Sequence, residues 1–111
     1  MSKKERNNGS VSQPQIDIWK AKHGEVKEIT VPLDDEEKEV AIGYFRKPDL
    51  NIIGASSKFV DTDPVKSGKI LFDSCYLGGA SDFQTNDEVK MSAILCLNRL
   101  FKIRLGDIKN L

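Results

Sequence analysis

The side chains that could do chemistry are few: His23, Cys75, Cys96, and an acidic run Asp34-Asp35-Glu36-Glu37 with Glu39 close behind. A general base needs a partner to orient it. His23, between Lys22 and Gly24, has none that the sequence nominates, so it reads as a surface histidine at a helix end. A calcium loop alternates its ligands and bends at a glycine. The acidic run does neither and reads as a solvated turn. Zinc takes four ligands, commonly in close Cys or His pairs, whereas here two cysteines and one histidine are scattered. Cys75 and Cys96 sit in apolar surroundings and read as reduced core thiols, since a free cysteine packs like a small hydrophobe. Gly78-Gly79-Ala80-Ser81 lacks the Gly-Lys-Ser/Thr of a phosphate loop. Ser10 and Ser56-Ser57-Lys58 offer hydroxyls with no activating base nearby in sequence. The expectation is a protein without catalytic residues, cofactor or metal.

The elements that would carry these residues fit one domain. The chain has 111 residues, with 17 basic and 17 acidic side chains. That length leaves no room for two ordinary domains. Zero net charge argues against coating nucleic acid or membrane, which needs an electropositive surface. No apolar run approaches the roughly 20 residues that span a bilayer. The opening, Met1 to Ser10, is charged with no apolar stretch, unlike a signal peptide. A cytoplasmic protein is expected.

Residues 1–14 are polar and end at Pro14; they read as a disordered tail, with a single domain over 15–111. Gln15 to Gly24 reads as a short helix that Trp19 anchors to the core and Gly24 closes. Glu25 to Val31 and Glu39 to Arg46 read as two strands joined across the acidic turn. In the second strand Val40, Ile42 and Tyr44 share one face, and Ala41, Gly43 and Phe45 the other. Pro48 or Asp49 opens a helix through Ser57, weakened by Gly54. Asp63 caps a further helix with Pro64 at its first position, ending at Gly78-Gly79. After a loop from Ala80 to Thr85, Thr85 and Glu88 match the capping box. The longest helix then runs to about Arg104, with Val89, Ala93, Cys96, Leu100 and Phe101 as its apolar stripe, broadened by Met91, Ile94, Leu95 and Leu97. The predicted class is α+β: an antiparallel hairpin packed on three to four helices, in the order α-β-β-α-α-α.

Recognition of another molecule is what remains. Arg99, Lys102 and Arg104 end the last helix, where they suit its dipole. A DNA-reading pair of helices would need a tighter turn than Gly78 to Thr85 allows. A protein partner is the better expectation. The last helix is also apolar enough to suggest a homodimer through it.

Several segments resemble a family. Ile18-Trp19-Lys20-Ala21-Lys22-His23-Gly24 leads into a strand, and Tyr44-Phe45-Arg46-Lys47-Pro48-Asp49 closes the second. Leu71-Phe72-Asp73-Ser74-Cys75-Tyr76-Leu77-Gly78-Gly79 ends a helix, followed by the acid-capped last one. Over residues 16–104 this is similar to the tail assembly chaperones of long-tailed phages and prophages. The resemblance implies a non-enzymatic assembly factor in the cytoplasm of a bacterial host. Its partners would be the aggregation-prone tape-measure protein and the tail-tube protein. The residues expected to touch a partner are Phe45, Arg46, Lys47 and Pro48 at the strand end, with Leu97 and Phe101 on the last helix. The alternatives are a small head–tail or tail-completion component of the particle, and a small DNA-binding regulator.

Overall fold

The computed structural model describes residues 8–36, 38–100 and 107–111. Within it, Ser12 ends an extended run and its Oγ accepts from the Gln15 N–H at 3.4 Å, which starts α1 (Gln13–His23). With Pro14 in the first turn and Gly24 as the closing residue, α1 starts two residues earlier than the sequence suggests. Residues 8–12 are not loose either. The Ile42 N–H donates to Asn8 O at 2.7 Å, and the Val11 N–H reaches the Tyr44 hydroxyl at 3.5 Å. Gly9 is buried so closely that a β-carbon would lie on Ala80 N and Ile42 O. Composition made these residues look like tail; long-range backbone pairing, which composition does not encode, fixes them. Residues 1–7 lie outside the described residues.

The expected hairpin is present as β1 (Val26–Pro32) and β2 (Val40–Arg46), antiparallel, with Val26 opposite Arg46 and Pro32 opposite Val40. Its turn is held by the Leu33 N–H on Glu39 O at 2.8 Å, and the Lys38 N–H donates to Asp34 Oδ1 at 2.8 Å. Asp49 Oδ1 accepts from the Ile52 N–H and so caps α2 (Leu50–Ser57). Asp63 does the same for α3 (Pro64–Cys75), as its Asp-Pro start predicts.

Beyond α3 the structure departs from the sequence-based expectation. Tyr76–Gly79 is not the end of a helix but a third strand, β3, paired antiparallel with β2 to give the order β1-β2-β3. Gly43 faces Gly79, Tyr44 faces Gly78 and Phe45 faces Tyr76, leaving Leu77 as a bulge. The glycines are there because the strands crowd. A β-carbon at Gly79 would meet Ile42 O and lie 2.6 Å from Gly43 Cα, and its φ of +142° disfavours any other residue. A β-carbon at Gly78 would press on the Trp19 ring at 3.2 Å. The expected loop holds a short helix, α4 (Asp82–Thr85). The last described helix is α5 (Asp87–Leu100).

Helices cover both faces of the sheet. Trp19 from α1 lies over Tyr44, ring centroids 5.6 Å apart. On the opposite face Ile29, Val31, Ala41 and Phe45 meet Leu71, Phe72, Phe83, Val89, Ala93 and Leu97. The centre is aromatic. Phe45 takes Phe72 edge-on at 5.6 Å and Phe83 at 5.7 Å, while Tyr76 stacks on Phe72 at 5.1 Å. No described helix is long and apolar enough to cross a membrane.

Asn86, rather than Thr85, caps α5. Its Oδ1 accepts from the N–H groups of Glu88 at 2.9 Å and Val89 at 3.3 Å, while the Thr85 hydroxyl turns back to Ser81 O. An asparagine competes well with threonine for this role, and here it is one residue nearer the helix. Asn86→Ala is expected to cost about 1 kcal/mol in urea unfolding. Thr85→Ala, which removes no capping bond, is expected to cost less than half of that.

Candidate protein-interaction site

Leu97 and Phe45 do not form a surface. Both are fully buried. On a helix, Val89, Ala93 and Leu97 recur every four residues and share one face, and that face is turned to the sheet. Phe45 points to the same core because it alternates with Tyr44, which faces Trp19. Pro48 is buried too. Arg46 and Lys47 remain accessible in part, but each is tied into an ion pair. Arg46 Nη2 holds Asp49 Oδ2 at 3.0 Å, beside the cap of α2. Lys47 Nζ lies 3.9 Å from Glu25, which also takes Lys27 at 2.8 Å. The hydrogen bond from Lys27, with the charges of Lys27 and Lys47, holds the Glu25 carboxyl below its usual range. This cluster stitches the strand end to α2 and the start of β1. Phe101, and the expected helical stretch from 101 to 104, lie outside the described residues.

The apolar surface lies nearly half a turn further round α5. Residues 91, 94, 95 and 98 face α3, and the two helices run antiparallel. Gly68 sits against Ile94, and Lys90 Nζ lies 4.8 Å from the centre of the Phe72 ring. A β-carbon at Gly68 would meet Ile94 Cγ2 at 3.1 Å, so the glycine is what lets the helices come this close. Between them and the end of α2 opens a groove of about 270 Å³. Leu71 and Ile94 form its floor. Its rim is Val60, Val65, Met91 and Leu95, exposed by 53, 63, 47 and 58%. The wall from α2 is held by a buried pair: Ser56 Oγ donates to Ser67 O at 2.9 Å, with the two hydroxyls also 2.9 Å apart. Four large apolar side chains around one depression form a patch of the kind that marks an interaction site. The signal was in the sequence: Met91 and Leu95 are apolar positions outside the Val89–Ala93–Leu97 stripe.

The titratable groups inside the domain do structural work. Cys75 is fully buried and its thiol is pushed up to about 11, by burial first, with Asp49 adding and Arg46 opposing. Burial also raises the Tyr76 and Tyr44 hydroxyls. A buried thiol keeps its proton while the unfolded chain begins to release it near 9.0. Stability is therefore complete below about pH 9 and falls as pH rises towards 11, by roughly 1.4 kcal/mol per pH unit for this one group. The expected loss between pH 9 and 10.5 is on the order of 2 kcal/mol in urea unfolding. A Cys75→Ala chain is expected to begin its decline later, where the tyrosines titrate; equal curves for the two chains would count against this assignment. Cys96 is half-buried and free. Among the described residues, no three of His, Cys, Asp or Glu gather to hold a metal ion.

No known family model matches the sequence. No curated protein is similar to it. Among solved structures, an uncharacterised protein from Bacillus stearothermophilus resembles it in fold. The TM-score is 0.56 at 22% identity, over 85% of this chain and 99% of that one. The shared property is the fold.

Proposed function

We propose that this protein is a non-enzymatic assembly factor that works by reversible protein binding, as a tail assembly chaperone of a long-tailed phage or prophage in the host cytoplasm. The observation that carries the reading is the groove between α3 and α5, with its rim of exposed Val60, Val65, Met91 and Leu95. A chaperone of this kind must shield an apolar segment of a partner while staying soluble. An apolar slot on a domain that is 31% charged suits that task. The occupant we assign is an apolar stretch of the tape-measure protein, presented as a helix whose side chains enter at i, i+3 and i+4. The tail-tube protein would then be recruited to the complex.

The test is co-expression with a tape-measure protein of a long-tailed phage, taken from the same genome as this chain, followed by co-purification at low and high salt. Binding through an apolar groove is expected to survive 1 M salt, roughly. Leu95→Asp and Val65→Asp are expected to cut recovery of the partner at least tenfold, with unchanged thermal unfolding, because both side chains already face solvent. A wild-type chain that brings down no tape-measure protein overturns the reading. Presence in purified particles would favour a structural component, and salt-sensitive retention on DNA a regulator.

A further inference from the structure

Ile42 reveals which way the backbone of the sheet faces. Its N–H donates to Asn8 O and its O accepts from the Ala80 N–H, both on the β3 side of β2. In an antiparallel ladder the backbone groups of successive residues alternate between the two sides. Ala41, Gly43 and Phe45 therefore bond β1, and Thr30, the residue opposite Ile42, turns its N–H and C=O away from β2. Val26 and Glu28 do the same by the same alternation. Among the described residues β1 ends the sheet, runs for seven residues, and leaves Glu28 and Thr30 exposed. An edge like this is a template for another strand.

We propose that β1 pairs antiparallel with β1 of a second copy about a two-fold axis at Ile29, joining the two sheets into one of six strands. The choice of partner and register follows from the side chains. An axis at Lys27 would set lysine against lysine, and one at Glu28 would set glutamate against glutamate; like charges directly opposite are destabilising. An axis at Thr30 drops Val26 from the ladder and leaves each Glu28 facing Pro32, which has no N–H to give. At Ile29, each Glu28 meets Thr30 of the second copy, Lys27 meets Val31, and Ile29 meets Ile29. Val26 can still donate to the Pro32 carbonyl. Charged side chains commonly guard such edges, but Lys27 is paired within its own chain to Glu25 at 2.8 Å. The surface is separate from the α3–α5 groove, so this proposal stands or falls independently of the chaperone reading.

Sedimentation velocity of the full chain over a range of concentrations, with amide hydrogen exchange at both ends of that range, tests it. Expected is a shift from monomer to dimer mass as concentration rises, with the Glu28 and Thr30 amides slowing at least tenfold. Thr30→Pro removes an N–H that β2 does not use and is expected to stay monomeric throughout. Two milder variants read the register itself. Thr30→Glu, set against Glu28 of the second copy on both sides of the axis, is expected to weaken the dimer roughly 2- to 30-fold, and Thr30→Lys to tighten it over the same range. A chain that is monomeric at millimolar concentration, or Glu28 and Thr30 amides that exchange equally fast at both concentrations, overturns the proposal. So does a dimer indifferent to the charge at residue 30.

Discussion

Leu97→Asp is expected to leave the chain unfolded at 25 °C, whereas Leu95→Asp, two residues earlier on the same helix, is expected to melt like the parent. Leu97 is fully buried among Val89, Ala93 and the sheet face that carries Ile29 and Phe45. Removing its methyl groups costs about 2–5 kcal/mol by loss of transfer energy and creation of a cavity. The carboxylate adds several kcal/mol more, because nothing at that position offers it a partner and it must stay dry or take up a proton. Together these rival the roughly 5–15 kcal/mol that holds a domain of this kind together. Leu95 is 58% exposed, where a substitution usually changes stability by no more than about 0.5 kcal/mol. Circular dichroism with urea unfolding separates the two. Equal stabilities would mean that α5 is rotated from the orientation described.

The same substitution at two glycines is expected to act in opposite directions. Gly79→Ala places a methyl against Ile42 O and Gly43 Cα, at a φ of +142°. Backbone strain alone costs about 1–3 kcal/mol, and relieving the clash requires β3 to leave β2. At roughly 4–8 °C per kcal/mol for a domain near this size, the melting temperature is expected to fall by at least about 5 °C. Gly54 lies inside α2 with nothing within 4 Å of an added β-carbon. There alanine trades a floppy helical position for a favourable one, and a gain of about 0.5–1 kcal/mol is expected. A scanning calorimeter decides both. A loss at Gly54, or none at Gly79, would contradict the geometry.

These contrasts show where the sequence is readable. The hairpin, the Asp63-Pro64 helix start and the α+β class follow from local signals such as alternation, caps and breakers. β3 does not, because Tyr76-Leu77-Gly78-Gly79 has no alternation to see and its glycines have the look of a helix stop. They are present because a strand from a distant part of the chain passes within contact of them, and no local window contains that fact. The candidate site was half legible. The surplus of apolar residues on α5 is plain, but the sequence pattern puts Leu97 among the outward residues, whereas it is fully buried. Only the angle at which α5 meets the sheet decides which residues of a wide apolar stripe go in and which stay out. Pro48 misleads differently: a strand-ending proline normally faces solvent, and this one is sealed into the domain.

Ile42 also orders events during synthesis. Its N–H is satisfied by a residue made long before it, and its carbonyl by Ala80, about 40 residues later. At roughly 5–20 residues per second, a nascent chain waits about 2–8 s between making the middle strand and making the segment that completes it. Phe83, which closes the aromatic centre, comes later still. Leu71 and Phe72, the first side chains of α3 to cover the hairpin face carrying Phe45, are made only late in that interval. The sheet is therefore not completed as β2 emerges: its middle strand waits for β3 and for the aromatic side chain of α4 that follows it.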